Sequence, residues 1–187
     1  MILVLLSGGE DSIVLAEMAQ ESGELGGLLF FEYGQPAQAQ ERTAADRWCY
    51  RNGYDLTVQN LPIVGVSEHM KTGPGAAGPR ILPGRNLVFI SHAINFAKTI
   101  GAGVIWYGAN ADDREYADCS AEFVDMVDKI ARSHGVKIEA PLLNMSKKEI
   151  HKYAEDVPID LSESWSCYEP TEDGSPCGTC NSCRMQS

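Results

Sequence analysis

The sequence predicts an α/β protein, a mostly parallel sheet with helices on both faces, carrying a C-terminal zinc-binding tail. Three observations lead there. Ile2–Leu6 and Leu25–Tyr33 are continuous apolar runs without polar alternation, the pattern of strands buried on both faces. Stretches of helical period separate the strand candidates, and strands spaced by helices form parallel sheets. From Pro158 onward the apolar period disappears, and cysteines take over the ordering. The expected division is a nucleotide-binding α/β domain over 1–157 and a four-cysteine zinc-binding tail over 158–187.

In chain order, strand Ile2–Leu6 runs into a Gly pair and a helix over Asp11–Gln20, with Ile13, Val14, Ala16 and Met18 apolar. Strand Leu25–Tyr33 ends at Gly34. A helix over Gln35–Arg51 stops at Asn52-Gly53. Leu56–Val58 starts a third strand. The 65–83 segment, rich in Gly and Pro and without period, reads as a mobile loop and a candidate lid over a ligand. Arg85–Thr99 is a helix with Leu87, Ile90, Ile94 and Ala97 on one stripe, closed by Gly101. Val104–Gly108 is a fourth strand, Ala121–Ser133 a helix and Ile138–Leu143 a final or edge strand. Ser146 and Glu149 have capping-box spacing, so a helix starts there and runs to about Glu155.

The chain has 187 residues and a formal charge of −11, which disfavours a broad face for nucleic-acid phosphates while leaving room for a local nucleotide pocket. An apolar fraction of 44% with 22% charged residues is globular. No run approaches the roughly 18 apolar residues that a membrane span needs. The opening MILVLLSGG has no basic flank or cleavage site, so export is not expected and the compartment is reducing.

The first chemical motif is Ser7-Gly8-Gly9-Glu10-Asp11-Ser12, between the first strand and the first helix. Helix N-terminal amides face ligands there in doubly wound folds, and two glycines let a backbone approach an anion closely. Read without function, it is a tight turn with Asp11 as helix cap. The complete SGGxDS string favours phosphate binding, although it is neither a Walker A loop nor the dinucleotide fingerprint.

The second motif gathers four of the six cysteines, Cys167, Cys177, Cys180 and Cys183. Four soft ligands at this spacing suit a closed, structural, tetrahedral Zn²⁺ ahead of an iron–sulfur cluster. A third set is dispersed: Tyr33-Gly34-Gln35, Pro83-Gly84-Arg85-Asn86, Gly108-Ala109-Asn110 and Tyr116-Ala117-Asp118-Cys119. Each taken alone reads as a strand exit, a surface guanidinium or a helix cap, with Glu122 favouring the helix dipole.

SGGxDS is the signature of the PP-loop ATP pyrophosphatases, which adenylate a substrate oxygen and release pyrophosphate. With YGQ, PGRN, YxDC and CGxCxxC in this order, the chain resembles the 7-cyano-7-deazaguanine (preQ0) synthases from Leu3 to Cys183. Ala117 and Ser120 stand where that family usually has Pro and Arg. The resemblance implies a Rossmann-like (adenine nucleotide alpha hydrolase-like) fold, a cytoplasmic location and usually a homodimer. It also implies a ligase, on the route to queuosine, that uses ATP with Mg²⁺, ammonia and 7-carboxy-7-deazaguanine.

By position, the resemblance assigns Leu6, Ser7, Gly8, Gly9, Asp11, Ser12, Tyr33, Gln35 and Arg85 to ATP. It assigns Arg85, Asn86, Asp118 and Glu122 to the substrate, and the four cysteines to zinc. Two adenylations, first of the acid and then of the amide, would give the nitrile. The nearest alternative stops at the amide or adenylates another carboxylated deazapurine. Neither membrane nor direct nucleic-acid binding is expected, and the acidic residues around the cysteines oppose RNA contact.

Overall fold

A computed structural model describes residues 1–63, 82–114 and 116–185. The predicted lid over 65–83 lies, apart from Leu82 and Pro83, outside them. Five strands form one parallel sheet: β1 (Ile2–Leu5), β2 (Leu25–Glu32), β3 (Leu56–Asn60), β4 (Val104–Trp106) and β5 (Lys137–Glu139). Their order, β3-β2-β1-β4-β5, reverses direction between β1 and β4. Ligands bind at such a switch point, beyond the carboxyl ends of the strands.

The helices are α1 (Glu10–Glu21), α2 (Gln38–Asn52), α3 (Arg85–Ile100), α4 (Ala121–Ser133), α5 (Lys147–Asp156) and the short α6 (Asn181–Met185). Period-2 alternation divides the core into two layers. Leu3, Leu29, Phe31 and Ile105 face α3 and α4, whereas Val4, Leu28 and Phe30 face α1, α2 and α5. The apolar runs are therefore continuous because both faces of each central strand are covered.

Local signals fix most boundaries. Gly53 and Gly101 end α2 and α3 in the left-handed conformation, at φ 73° and 76°. Ser146 caps α5 in a complete capping box with Glu149. Ser120 caps α4 by accepting from the Phe123 amide. Two expectations need correction. The last strand ends at Glu139 and not at Leu143, since Pro141 cannot donate to a ladder and Leu143 N bonds Ala140 O in a turn. Helix α2 starts at Gln38 and not at Gln35, because Pro36 follows and the Gln35 carbonyl instead accepts from Gln38 N.

Candidate active site

A cavity of about 430 Å³ opens at the switch point, within the range of small-molecule sites. Its floor is the turn from β1 into α1. Gly8 takes φ +80°, and a Cβ there would sit 2.2 Å from the Glu41 carbonyl oxygen, so only glycine fits. The Ser12 hydroxyl donates to Gly9 O at 2.8 Å and accepts from Ser7 N at 3.1 Å, which holds the turn closed on itself. Gly9, at the N-cap, offers no side-chain cap, so the first-turn amides of α1 keep donor capacity for an anion.

One side of the cavity is charged. Asn110, fully buried, donates to Asp11 at 2.9 Å and to Asp113 at 2.7 Å, and accepts from the Asp112 and Asp113 amides. Its amide thus holds two carboxylates together, and hard oxygen donors in this pairing fit Mg²⁺. Burial, with the charges of Asp11 and Asp112, pushes the Asp113 carboxyl up, although Lys147 and Asn110 oppose the shift. Lys147 Nζ reaches Asp11 Oδ1 at 2.5 Å, and His151 Nε2 lies 3.0 Å from Glu10.

The opposite side is aromatic and polar. Arg85, the first residue of α3, donates to the Tyr33 hydroxyl at 3.1 Å, and its guanidinium lies 5.7 Å from the Tyr33 ring centre and 5.8 Å from that of Phe89. Asn86 N bonds Asp118 Oδ2 and the Asn86 amide bonds Asp118 O, both at 3.3 Å, which fixes the Asp118 turn against α3. The Arg85 Nε and the Tyr107 hydroxyl are buried and have no hydrogen-bond partner among the described residues, a costly state for polar groups unless a ligand or water meets them. Burial and the Asp118 charge push the Cys119 thiol up to about 12, which makes it a poor nucleophile.

The tail supplies a further wall, through Trp165, Ser166, Tyr168, Thr179, Cys180, Asn181 and Ser182. Trp165 N donates to Gly8 O at 2.9 Å, and the Trp165 indole donates to the Cys167 carbonyl at 2.7 Å. The ligating sulfurs of Cys167, Cys177, Cys180 and Cys183 lie within 4.8 Å of one another, a cluster that could bind a metal ion. Backbone amides donate to these sulfurs, among them Cys177 N to Cys167, Cys180 N to Cys177 and Cys183 N to Cys180, at 3.2 to 3.5 Å. Such bonds favour thiolates, the form a metal takes.

Of the residues singled out from sequence, Leu6, Ser7, Gly9, Asp11, Ser12, Tyr33, Gln35, Arg85, Asn86 and Asp118 line the cavity. Gly8 sits just behind it, against Glu41 and Trp165. The Gln35 side chain is occupied as a brace: it accepts from Tyr33 N and donates to Phe31 O and Glu41. Glu122 lies outside, exposed in the first turn of α4. Sequence reading did not single out Lys147, Asp113, Tyr107 or Trp165. Lys147 was visible only as the residue after a helix cap, and Trp165 only as a neighbour of a cysteine.

A family model described as queuosine biosynthesis protein QueC matches residues 1–187. A 7-cyano-7-deazaguanine synthase of Rhizorhabdus wittichii strain RW1 is 38% identical over 205 residues, covering 99% of this chain and 88% of its own. One of Pseudomonas fluorescens strain Pf0-1 is 33% identical over 208 residues, with the same coverage. Among solved structures, NMN synthetase from Francisella tularensis superposes with a TM-score of 0.58 at 15% identity, over 87% of this chain and 63% of that one. That likeness is one of fold.

Proposed function

Because the chain belongs to the QueC family, we propose that it is an ATP-dependent ligase that makes 7-cyano-7-deazaguanine from 7-carboxy-7-deazaguanine and ammonia. One observation carries this reading. A single cavity joins the Ser7–Ser12 turn, which suits a triphosphate, to the Arg85–Asp118 side, which suits a carboxylated heterocycle.

The chemistry follows from what the residues can hold. A carboxylate oxygen is a poor leaving group, and transfer to AMP makes it a good one. The 7-carboxylate oxygen attacks the α-phosphorus, the bond to the bridging oxygen breaks, and pyrophosphate leaves with its electron pair. Ammonia then adds to the acyl carbon, AMP departs and a proton is lost, giving the amide. A second ATP adenylates the amide oxygen, and loss of AMP and a proton gives the nitrile.

Catalysis of this kind rests on orientation and on an environment arranged for developing charge. The first-turn amides of α1 bind the phosphates. Asp11 and Asp113 would hold Mg²⁺, which supplies charge neutralisation at the phosphates when bound. The Arg85 fork suits the 7-carboxylate or a phosphate, and its Nε, without a partner among the described residues, can donate to either. The Asp118 carboxylate suits the amino and ring N–H groups of a deazaguanine. The four cysteines would hold Zn²⁺, which organises the tail against the cavity.

Incubating the protein with ATP, Mg²⁺, ammonia and a panel of carboxylated deazapurines tests the proposal. Pyrophosphate release with 7-carboxy-7-deazaguanine, and a product of nitrile mass, is the expected result. Accumulation of the amide alone would move the function to that earlier product. Release with another acid only would change the substrate.

A further inference from the structure

We propose that Lys147 is a catalytic residue that binds the departing pyrophosphate, with the His151 ring as an outer hydrogen-bonding group of the same subsite. This rests on the adenylating reaction proposed above, yet follows from features that reaction was not built on. Among the described residues, the cavity is lined by six carboxylates, Glu10, Asp11, Glu41, Asp112, Asp113 and Asp118, against three basic side chains, Arg85, Lys147 and His151. A polyanionic ligand needs fixed cations in such surroundings. Arg85 stands on the aromatic side, bonded to Tyr33, away from the Lys147–Asp11 contact. Among the described residues, Lys147 and His151 are the basic side chains that stand beside the turn into α1.

Their placement is built by the fold. Lys147 and His151 are one helical turn apart on α5 and share a face. Each meets one of the first two residues of α1, through the Lys147–Asp11 and His151–Glu10 contacts. Ser146 and Glu149 fix the start of α5 by their reciprocal cap, and Lys147 N donates to Asp112 Oδ2 at 2.8 Å. The Lys147 backbone is therefore anchored on both sides, while its flexible stem carries the ammonium to the turn that suits the phosphates.

Without nucleotide, the Lys147 ammonium neutralises Asp11. Mg²⁺ held by Asp11 would supply that carboxylate with a cation of its own, and the Lys147 ammonium would then be available to the β- and γ-phosphates. As the bond between the α-phosphorus and the bridging oxygen breaks, negative charge develops on that oxygen. A fixed ammonium beside it stabilises the leaving group electrostatically.

Titrating the full protein with pyrophosphate and Mg²⁺ in a calorimeter, without any organic substrate, isolates the step. Lys147→Met should weaken pyrophosphate binding about 10- to 100-fold, the scale of a lost charge-assisted hydrogen bond. Pyrophosphate product inhibition should weaken in parallel, while the KM for the carboxylated substrate holds. Lys147→Arg should restore most of the affinity, and thereby exclude a general folding defect. Pyrophosphate bound equally by wild type and Lys147→Met, or no rescue by arginine, would overturn the assignment while leaving the enzymatic reading intact. Wild-type protein that neither binds nor releases pyrophosphate would instead overturn that reading.

Discussion

The turn after β1 and the cysteine tail face each other across one cavity, but different forces hold them. Behind the turn, Leu6, Val14, Leu15 and Ala16 are fully buried between sheet and helices. From Pro158 to Arg184, by contrast, only Cys167 and Cys180 are buried among the described residues, and both belong to the four-sulfur cluster. The first wall is held by apolar burial, which needs no ligand. The second has little apolar area to bury, and a metal ion held by its four sulfurs, as proposed above, would offset the ordering entropy of the tail. The Trp165 amide bond to Gly8 O is where the two walls meet. Substitutions that remove chemistry from the first wall should thus spare the fold, while loss of metal should dismantle the second and leave the sheet standing.

The largest effect is expected from Asp11→Ala. It removes a carboxylate from the Asp11–Asp113 pair proposed to hold Mg²⁺ without touching the core, because Asn110 still bonds Asp113 and the Asp112 and Asp113 amides. Pyrophosphate release should fall by about 10³-fold or more, the scale of several kcal/mol of lost transition-state charge stabilisation. Metal content by mass spectrometry and far-UV circular dichroism should match wild type. Undiminished turnover would refute the role assigned to the turn.

Chelation of the tail metal, or Cys177→Ser, comes next. Far-UV signal should persist, because the five strands and α1–α5 lie outside the tail. ATP affinity should fall by about tenfold, comparable to losing one or two hydrogen bonds and the wall that carries them. Trp165 fluorescence should report the release directly. An unchanged ATP affinity in metal-free protein would separate the two walls and reduce the tail to an appendage.

Acid should sharpen the same contrast. The Ser162 hydroxyl and amide, with Arg51, depress the Asp160 carboxyl to about 2, below its ordinary 3.8. Hydrogen bonds from Thr171 and Ser175 likewise lower Asp173. A depressed carboxyl stabilises the folded state fully above its unfolded pKa, and that contribution is lost as pH falls from there through the folded value. Thiolates that hold a metal protonate before these tail carboxyls on the descent, so metal release should come first while the circular dichroism of the sheet and helices persists. Following metal content and circular dichroism in one acid titration checks the order. Simultaneous loss of both would mean that the tail and the domain unfold as one unit.

The difference between the walls also explains what could be read from residues alone. The SGGEDS turn and the cysteine spacing were legible because the chemistry lies within a few adjacent positions. The buried strands were legible because both core layers draw on the same contiguous runs. Lys147 was not, since its partner Asp11 is 136 residues away and nothing local distinguishes it from other lysines at helix starts. Trp165 was hidden for a similar reason: the contact that matters is its backbone amide, which carries no residue signature. Glu122 shows the converse. Its position in the first turn of α4 is explained by the helix dipole, and that signal says nothing about which way the helix faces.

The smallest effect is expected where the two sides of that argument touch, at Ser146. Its hydroxyl accepts from Glu149 N, and Glu149 returns a bond to Ser146 N, closing the cap that starts α5. Ser146→Ala removes one half of that exchange. Stability should fall by about 1 kcal/mol, typical for loss of a serine cap, and Tm by about 2–4 °C for a chain of this size. If the cap also sets where Lys147 emerges, the fraying should carry through to the ammonium. Pyrophosphate affinity should then drop about two- to threefold, well short of the loss in Lys147→Met, as a loosened group still samples its bound position. A fall in Tm with unaltered pyrophosphate affinity would show that Lys147 is positioned by its own contacts with Asp11 and Asp112, and that the cap serves the helix alone.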